Sequence, residues 1–197
     1  MRPFSVLHVC MGNICRSPMA ERLLAARLRD ALGPVADELV RSHGAGTGDW
    51  HIGEGMNPPA ARQVLARGGR PDGFAARWLE PPLIADSDLI LTATSEQWDH
   101  VVTLVPQAAP RTFVLGEFAR LLASVDTADL PGYRPEVAAV AERGRALVAA
   151  AHAARGGEPP VPEDDLDDPW GRGEAFFSRT ADRVEDAIKP LVDALTG

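Results

Sequence analysis

Cysteine is scarce in this sequence of 197 residues, which contains two, Cys10 and Cys15. A secreted protein that depends on disulfides would need more cysteines, at wider spacing, to restrain its fold. The scarcity therefore argues against the disulfide-stabilised secreted class. We expect the protein to work in a reducing compartment, the cytoplasm.

Long apolar runs are missing as well. No stretch approaches the roughly 20 apolar residues that a membrane-spanning helix requires. The opening sequence MRPFSVLHVC gives way to polar residues too soon for a secretory signal. These two absences predict that the protein has no membrane partner.

Positive charge is in the minority, and the formal net charge is −8. A nucleic-acid backbone would be repelled overall, so no nucleic-acid partner is expected, and any chemistry on phosphate groups needs a local positive site. The histidines are interpreted as structural, because their spacing does not match a metal site. We therefore predict neither a metal nor a cofactor. The histidines considered are His8, His51, His100 and His152.

Short strand-like segments alternate with helical ones along the chain. Strands are predicted at residues 4–9, 38–42, 88–94 and 111–115. Such alternation is typical of a parallel sheet that is covered by helices on both faces. The sequence predicts one doubly wound α/β domain, residues 1–197, with a central four-stranded parallel sheet flanked by helices.

The other segments are less regular. Residues 43–55 are rich in glycine and are predicted to form a surface loop, and the acidic residues 156–168 to form a solvated loop. The tract 123–166 is predicted to be an inserted helical and loop segment. A final amphipathic helix is predicted over residues 174–195, with a kink or a break near Pro190, because proline removes a backbone donor.

One segment, CMGNICRSP at residues 10–18, carries a chemical pattern between the first strand and the first helix. Ligands of parallel sheets bind beyond the carboxyl ends of the strands, where this segment lies. A loop wound in this way can point successive backbone N–H groups inward, and the helix N-terminus adds its positive dipole end. Gly12 permits close backbone approach, and Asn13 tolerates a left-handed conformation. Arg16 offers a planar fork that matches two phosphate oxygens.

Cys10 is the predicted nucleophile of this loop. The positive field at the helix N-terminus should favour its thiolate form, which is the form that attacks phosphorus. The hydroxyl of Ser17 could donate to Cys10 and stabilise the thiolate as a leaving group. Phosphate binding is predicted for the residues Met11, Gly12, Asn13, Ile14, Cys15 and Ser17.

The sequence resembles the low-molecular-weight protein tyrosine phosphatases. The resemblance rests on residues 10–18, on the stretches 44–51 and 88–94, and on the late pair Asp168-Pro169. It implies a metal-independent enzyme that hydrolyses phosphotyrosine on proteins through a phosphocysteine intermediate and releases inorganic phosphate. Bacterial relatives often oppose tyrosine kinases that control surface polysaccharide export, so the resemblance offers such a kinase as a partner.

The resemblance also implies roles for residues outside the loop. Asp168 is implied to be the general acid that protonates the departing phenolic oxygen and then helps water hydrolyse the intermediate, and such assistance is worth roughly 100- to 10,000-fold. Trp50 and Trp170 are implied to be opposite walls of a slot for a phenyl ring. The family's arginine phosphatases tend to carry threonine at the position of Ile14, so this residue favours phosphotyrosine.

Alternatives stay open for single residues. Cys10 could be a buried core thiol, and Cys15 could be either structural or a reversible disulfide partner of Cys10. Asp168 could belong to a solvated acidic cluster, residues 163–168, in which Asp167 is a rival acid. The two tryptophans could be core aromatics.

Two alternatives also stay open for the protein as a whole. The first is an arsenate reductase on the same scaffold that uses an external small thiol. The second is a non-catalytic phosphotyrosine-binding module, which would retain Arg16 but would need neither Cys10 nor Asp168.

Overall fold

A computed structural model describes residues 2–197. At its centre is a sheet of four parallel strands in the order β2-β1-β3-β4. β1 pairs with β2 along its whole length, from Phe4 opposite Val40 to Cys10 opposite Gly46. The predicted four-stranded parallel sheet is therefore confirmed. The strands are β1 (Phe4–Cys10), β2 (Val40–Gly46), β3 (Leu89–Thr92) and β4 (Thr112–Val114).

Eight α-helices in the described residues surround the sheet and cover both of its faces, as predicted for a doubly wound domain. None of the helices within residues 2–197 combines the length and the apolar character needed to cross a bilayer. The helices are α1 (Arg16–Leu32), α2 (Ala36–Leu39), α3 (Pro58–Ala66), α4 (Pro81–Ala85), α5 (Ser95–Leu104), α6 (Leu115–Leu122), α7 (Val137–Arg155) and α8 (Glu174–Thr196).

All seven residues of β1 are buried, and they serve two cores. Phe4 and Val6 belong to the main core, together with α1 and α8. Leu7 and Val9 belong to a smaller core on the other face, together with α5. A strand that is buried on both faces is encoded as a nearly continuous apolar run, and in β1 only Ser5 and His8 interrupt that run. This packing fixes the position of Cys10 at the end of the strand.

The prediction of a surface loop over residues 43–55 is wrong at its start. β2 begins at Val40 and extends to Gly46, so residues 43–46 are a buried strand. A Cβ atom on Gly46 would lie 2.7 Å from the carbonyl oxygen of Met11. Glycines in this stretch indicate a loop in the sequence, but in the structure they allow the backbone of β2 to approach the backbone of the 10–16 loop closely.

Two segments that contain proline also differ from the prediction. α8 is one continuous helix through Pro190, so of the two outcomes predicted there, a kink or a break, the break does not occur. Its neighbours Ile188 and Leu191 are fully buried, and this apolar burial offsets the backbone hydrogen bond that proline cannot make. α4 was not predicted, because it is too short for a periodic pattern and opens on two prolines.

The tract 123–166 contains α7, which packs into the main core. Gly144 of α7 lies directly against the ring of Phe4. At the end of α7, Arg155 forms a buried ion pair with Glu117 of α6, with 2.7 Å between Nε and Oε1. These contacts make α7 part of the body of the domain rather than an extension of its edge.

Candidate active site

A cavity of about 370 Å³ opens at the carboxyl end of β1, where α1 begins. It brings together the predicted nucleophile, phosphate clamp and general acid. Asn13 and Ser17, which were predicted to bind phosphate, are buried behind its wall. The residues that line the cavity are Cys10, Met11, Gly12, Ile14, Cys15, Arg16, Trp50, His51, Asp168 and Trp170.

The loop of residues 10–16 is tied to the rest of the protein through its carbonyl groups. The carbonyl of Cys15 accepts the N–H of Met19 in the first turn of α1, at 3.1 Å. Asn13 has φ of 54° and is the only non-glycine among the described residues with positive φ. The carbonyls of Cys10, Met11 and Ile14 accept backbone N–H groups of Thr47, Gly48 and Asn57 at 3.0, 2.9 and 2.8 Å.

The amide groups of the same loop are used differently. Within the part of the chain that the structure describes, the N–H groups of residues 11–15 donate to no backbone carbonyl. The start of α1 at Arg16 adds the positive end of a helix dipole beside them. Carbonyls that are bonded elsewhere and amides that are left free are the features of an anion-binding loop.

The thiol of Cys10 is held by a short chain of side chains. Its Sγ lies 3.0 Å from Oγ of Ser17, and Ser17 accepts a hydrogen bond of 2.9 Å from Nδ2 of Asn13. Oδ1 of Asn13 in turn accepts the backbone N–H of Arg77 at 2.9 Å, which fixes the orientation of the amide. Because Asn13 donates to Ser17, the hydroxyl hydrogen of Ser17 is free to point at the sulfur. In that orientation the hydroxyl donates a hydrogen bond to the sulfur and holds it in place.

Arg77 supports the loop from behind through its backbone N–H, His43 lies beside the side chain of Arg77, and neither residue was predicted. Arg77 donates to the carbonyl of Gly44 at 2.8 Å and lies 3.4 Å from Nδ1 of His43. Burial, followed by the positive charges of Arg41 and Arg77, lowers the pKa of His43 to about 3. His43 is therefore neutral at physiological pH. Its Nε2 lies 3.0 Å from Oγ of Ser5.

Glu21 is a second ionisable group behind the loop. Burial raises the pKa of its carboxyl to about 7, although the charges of Arg22 and Arg77 lower it. A Cβ atom on Gly44 would lie 2.9 Å from Nδ2 of Asn13 and 3.0 Å from Oε2 of Glu21. Glycine at this position therefore leaves the room that both side chains occupy.

Cys15 differs from Cys10 in its surroundings. Burial raises the pKa of the Cys15 thiol to about 12, and the nearby Cys10 and Asp168 add to this, while Arg16 acts in the opposite direction. Cys15 is therefore a neutral thiol at physiological pH. Both cysteines are free in the structure.

Arg16 connects the 10–16 loop to the side of the cavity on which Asp168 lies. Its side chain is buried and donates to the carbonyl of Leu166 at 3.1 Å and to Oδ2 of Asp168 at 2.9 Å. Its buried Nε has no hydrogen-bond partner among the described residues. A guanidinium fixed by one backbone carbonyl, with donors to spare, is suited to hold an oxyanion.

Asp168 borders the cavity with its side chain 45% exposed. Its Oδ1 also accepts the backbone N–H of Trp170 at 3.1 Å. Asp167, the rival acid, is 77% exposed, lies 3.7 Å from Arg183 and does not line the cavity. Of the two aspartates, the structure places Asp168 beside Arg16.

The segment before Asp168 is anchored, so the prediction of a solvated loop over residues 156–168 is wrong in part. Asp164 and Leu166 are buried. Asp164 pairs with Arg120 at 2.8 Å. Two further bonds reach this segment from the end of β3, where Asp165 accepts from the N–H of Ser95 at 2.7 Å and Leu166 donates to the carbonyl of Ala93 at 2.8 Å.

The mouth of the cavity is aromatic. Trp50 and Trp170 are 59% and 56% exposed, and His51 lies between them, with ring centroids 6.2 and 5.7 Å from theirs. The prediction that His51 is merely structural missed its place in the cavity wall. Its position directly after Trp50, in the loop that follows β2, was the available signal. Nδ1 of His51 lies 2.8 Å from Glu54.

A family model, described as low molecular weight phosphotyrosine protein phosphatase, matches residues 5–142. This range includes the 10–16 loop and Trp50, and it ends before Asp168. A low molecular weight protein-tyrosine-phosphatase from Streptomyces coelicolor is 39% identical over 126 residues, which are 64% of this chain and 71% of that protein. PtpA, a protein of the same description from Staphylococcus aureus, is 34% identical over 119 residues, or 59% of this chain and 71% of the other.

Solved structures with the same fold include two from bacteria. The tyrosine phosphatase AmsI of Erwinia amylovora superposes with a TM-score of 0.66 at 22% identity, over 99% of this chain and 95% of that one. The YwlE arginine phosphatase of Geobacillus stearothermophilus gives a TM-score of 0.65 at 23% identity, over 97% and 92%. At these identities the likeness concerns the fold.

Proposed function

This chain belongs to the low molecular weight phosphotyrosine protein phosphatase family, and from this premise we propose that it hydrolyses phosphotyrosine on proteins through a phosphocysteine intermediate at Cys10. The family makes the chain an enzyme of the protein-tyrosine-phosphatase type. The observation that carries the proposal is the 10–16 loop, in which the carbonyls of Cys10, Met11, Ile14 and Cys15 are bonded elsewhere while the amides of residues 11–15 donate to no backbone carbonyl.

In the proposed first step, the thiolate of Cys10 attacks phosphorus. A sulfur–phosphorus bond forms as the bond from phosphorus to the phenolic oxygen breaks, and Asp168 transfers its proton to that oxygen. The loop amides and the free donors of Arg16 hold the three equatorial oxygens, over which the charge of the transition state is spread. A bound phosphate would compete with Asp168 for the donors of Arg16, which would free the carboxyl to turn toward the leaving oxygen.

In the proposed second step, water displaces the sulfur. The carboxylate of Asp168 accepts a proton from the attacking water, the sulfur–phosphorus bond breaks, and inorganic phosphate leaves. The departing thiolate of Cys10 receives the hydrogen bond of Ser17, whose Oγ lies 3.0 Å from the sulfur. Asp168 is then protonated again, so the enzyme returns to its starting state.

The proposed substrate side chain is the phosphotyrosyl ring. Trp50, His51 and Trp170 form an aromatic mouth around the cavity, and a phenyl ring would pack against them on its way to the loop. Ile14 adds an apolar side chain to the lining. A planar cationic guanidinium would gain less from this apolar residue, so the lining favours phosphotyrosine over phosphoarginine.

We also propose that residues 1–197 make one phosphatase domain with 123–166 as an inserted segment, because α7 from that segment shares the main core. A cytoplasmic location and a tyrosine kinase as partner stay predictions. A reducing compartment suits an enzyme that needs Cys10 as a free thiol.

The test of the proposed function uses three substrates. A phosphotyrosyl peptide should be hydrolysed, and the variant Cys10→Ser should lose at least about 10,000-fold in kcat/KM, since the nucleophile is removed. A phosphoarginyl peptide of the same sequence should react at least about tenfold more slowly than the phosphotyrosyl peptide. Arsenate with a small thiol should be reduced more slowly than either peptide is hydrolysed. Faster turnover of phosphoarginine or arsenate would assign the chain to another activity of this scaffold.

A further inference from the structure

A second cavity, of about 540 Å³, lies at the opposite end of the sheet from the 10–16 loop. Arg2, which precedes β1, and Asp88, which precedes β3, both line it. The amino ends of these parallel strands therefore meet the second cavity, while the carboxyl end of β1 meets the first. Its volume is within the range of pockets that hold small molecules.

Charge in the second cavity has the opposite sign to that of the whole protein. Three arginines and one histidine line it, and Asp88 is the one carboxylate in its wall. The chain as a whole carries a formal charge of −8. A local excess of positive charge inside a concave site attracts and concentrates anions. The basic residues are Arg2, Arg111, Arg145 and His152.

Asp88 does not neutralise this site, because its own oxygens are already satisfied. Oδ1 accepts hydrogen bonds from Arg2 and Arg145, both at 3.0 Å. Oδ2 accepts from Arg2 at 2.7 Å and from the backbone N–H of Ser5 at 3.0 Å. The carboxylate is buried beneath these donors, with 6% of its side chain exposed. One negative charge therefore orients two arginines and leaves a surplus of positive charge.

Several donors around the cavity remain unused or lack an anionic partner. Arg145 binds Asp88 through Nε alone, and its two terminal nitrogens donate to no acceptor in the described residues. Arg111 donates only to carbonyl oxygens, those of Ile84, Ser87 and Gln107. His152 is exposed at the last turn of α7. A cluster that served only to cover Asp88 would need neither Arg111 nor His152.

The wall beside these donors is apolar and is formed by Ala85, Pro110, Val148 and Ala149. A ligand that carried charge alone would make no use of such a wall. A ligand with a phosphate group at one end and an uncharged planar or apolar group at the other would match both parts of the site.

We propose that this cavity binds a phosphorylated small molecule of the nucleotide class. Its phosphates would lie against Arg111, Arg145 and His152, and its uncharged part would lie against the wall around Val148. The site shares no residue with the cavity at the 10–16 loop. The inference does not depend on which phosphate ester the enzyme hydrolyses.

The test is a titration of the full chain, labelled with ¹⁵N, with ADP as the probe, followed by the amide signals. Signals of residues 85–88, 107–111 and 145–152 should shift along one saturable curve. Because the 10–16 loop can also bind phosphate, its signals are fitted to a separate curve. The two curves distinguish the second cavity from the active site without any substitution.

Two variants and one further ligand complete the experiment. Arg145→Gln should weaken binding at the second cavity by about tenfold, because charge-assisted hydrogen bonds to phosphate are lost. Arg134→Gln, an exposed arginine outside both cavities, should leave the dissociation constant unchanged. Adenosine should not shift these signals measurably. Three results would overturn the proposal. The first is the absence of saturation with ADP at 10 mM, roughly the weak limit of useful small-molecule affinity. The others are an equal affinity for ADP in Arg145→Gln and adenosine that binds as tightly as ADP.

Discussion

The two sides of the proposed active site are built differently. Most of the 10–16 loop is enclosed, although Met11 is 39% exposed: Asn13 is fully buried, and loop carbonyls are bonded to the segment that follows β2. The opposite side, residues 167–172, is exposed apart from Pro169 and includes Asp168 and Trp170. It is held by Arg16 and by the anchored residues just before it.

The difference follows from what each side must do. Oxygens of a phosphoryl group gain most from donors that are already in position, because no reorganisation is then needed in the transition state. A general acid needs only to reach the leaving oxygen, and the aromatic mouth must admit a protein side chain. We call the 10–16 loop the cradle and residues 167–172 the rim. A rigid cradle and an open rim meet these separate needs. Changes in the cradle should therefore alter both stability and chemistry, whereas changes at the rim should alter chemistry or binding alone.

Of the four variants that compare the two sides, Asp168→Asn in the exposed side should have the largest effect. With phenyl phosphate, whose leaving group needs a proton, kcat should fall roughly 100- to 10,000-fold. With p-nitrophenyl phosphate, whose leaving group is stable as an anion, the loss in the first step should be much smaller, and pre-steady-state release of nitrophenol measures it. The control Asp167→Asn should match the parent enzyme, because Asp167 does not line the cavity. Equal slowing with both esters would argue against a role as acid.

A smaller loss of activity, together with a loss of stability, is expected for Asn13→Gly in the cradle. Glycine accepts the positive φ of this position, so the substitution removes the side-chain hydrogen bonds to Ser17 and Arg77 without backbone strain. We expect about 1–3 kcal/mol less stability in urea unfolding, because buried polar groups lose their partners. The alkylation of Cys10 by iodoacetate should slow severalfold. Unchanged stability and an unchanged rate of alkylation would show that the side-chain hydrogen bonds of Asn13 are dispensable.

Trp170→Ala tests whether a change in the rim alters substrate binding without altering stability. KM for a phosphotyrosyl peptide should rise roughly threefold to tenfold, as expected when one aromatic contact is lost. Stability should change by less than about 0.5 kcal/mol, since the side chain is more than half exposed. Trp78→Ala is a matched control, because Trp78 is similarly exposed and lies outside the cavity. An equal change in KM for both variants would remove Trp170 from the binding site.

The smallest effect at neutral pH is expected from His43→Gln. The pKa of His43 is lowered to about 3 in the folded protein, so its contribution to stability is complete above pH 6.5 and is lost as the pH falls toward 3. Between pH 7.5 and pH 5 the parent should lose about 2 kcal/mol more than the variant, by linkage. Glu21, whose pKa is raised, titrates with the opposite sign, but it does so in both proteins. Parallel stability curves for the two proteins would contradict a buried neutral His43.

The same contrast explains which parts could be predicted from the sequence. The cradle lies in one continuous stretch, residues 10–18, so its proposed nucleophile, its guanidinium and the left-handed Asn13 were all recognisable there. Its support comes from Arg77, which reaches Asn13 only through tertiary packing and has His43 beside its own side chain. No local pattern marks those two residues.

The rim was less accessible to sequence reasoning. Asp168 was found by resemblance, but the anchoring of its segment by Ser95 and Ala93 depends on how β3 ends. His51 was missed because a lone histidine carries no pattern. β2 was predicted too short because the glycines at 44 and 46 indicate a turn, whereas they are needed for close backbone approach.

The most direct test of the central claim is to trap the intermediate. The variant Asp168→Asn would be mixed with p-nitrophenyl phosphate and quenched in alkaline detergent, in which the sulfur–phosphorus bond persists, during the burst, because loss of the base should slow hydrolysis of the phosphoenzyme. Digestion and mass spectrometry should find one phosphoryl group on the sulfur of Cys10, and none when Cys10→Ala is added. A burst with no phosphorylated protein, or a phosphoryl group on another residue, would contradict the account.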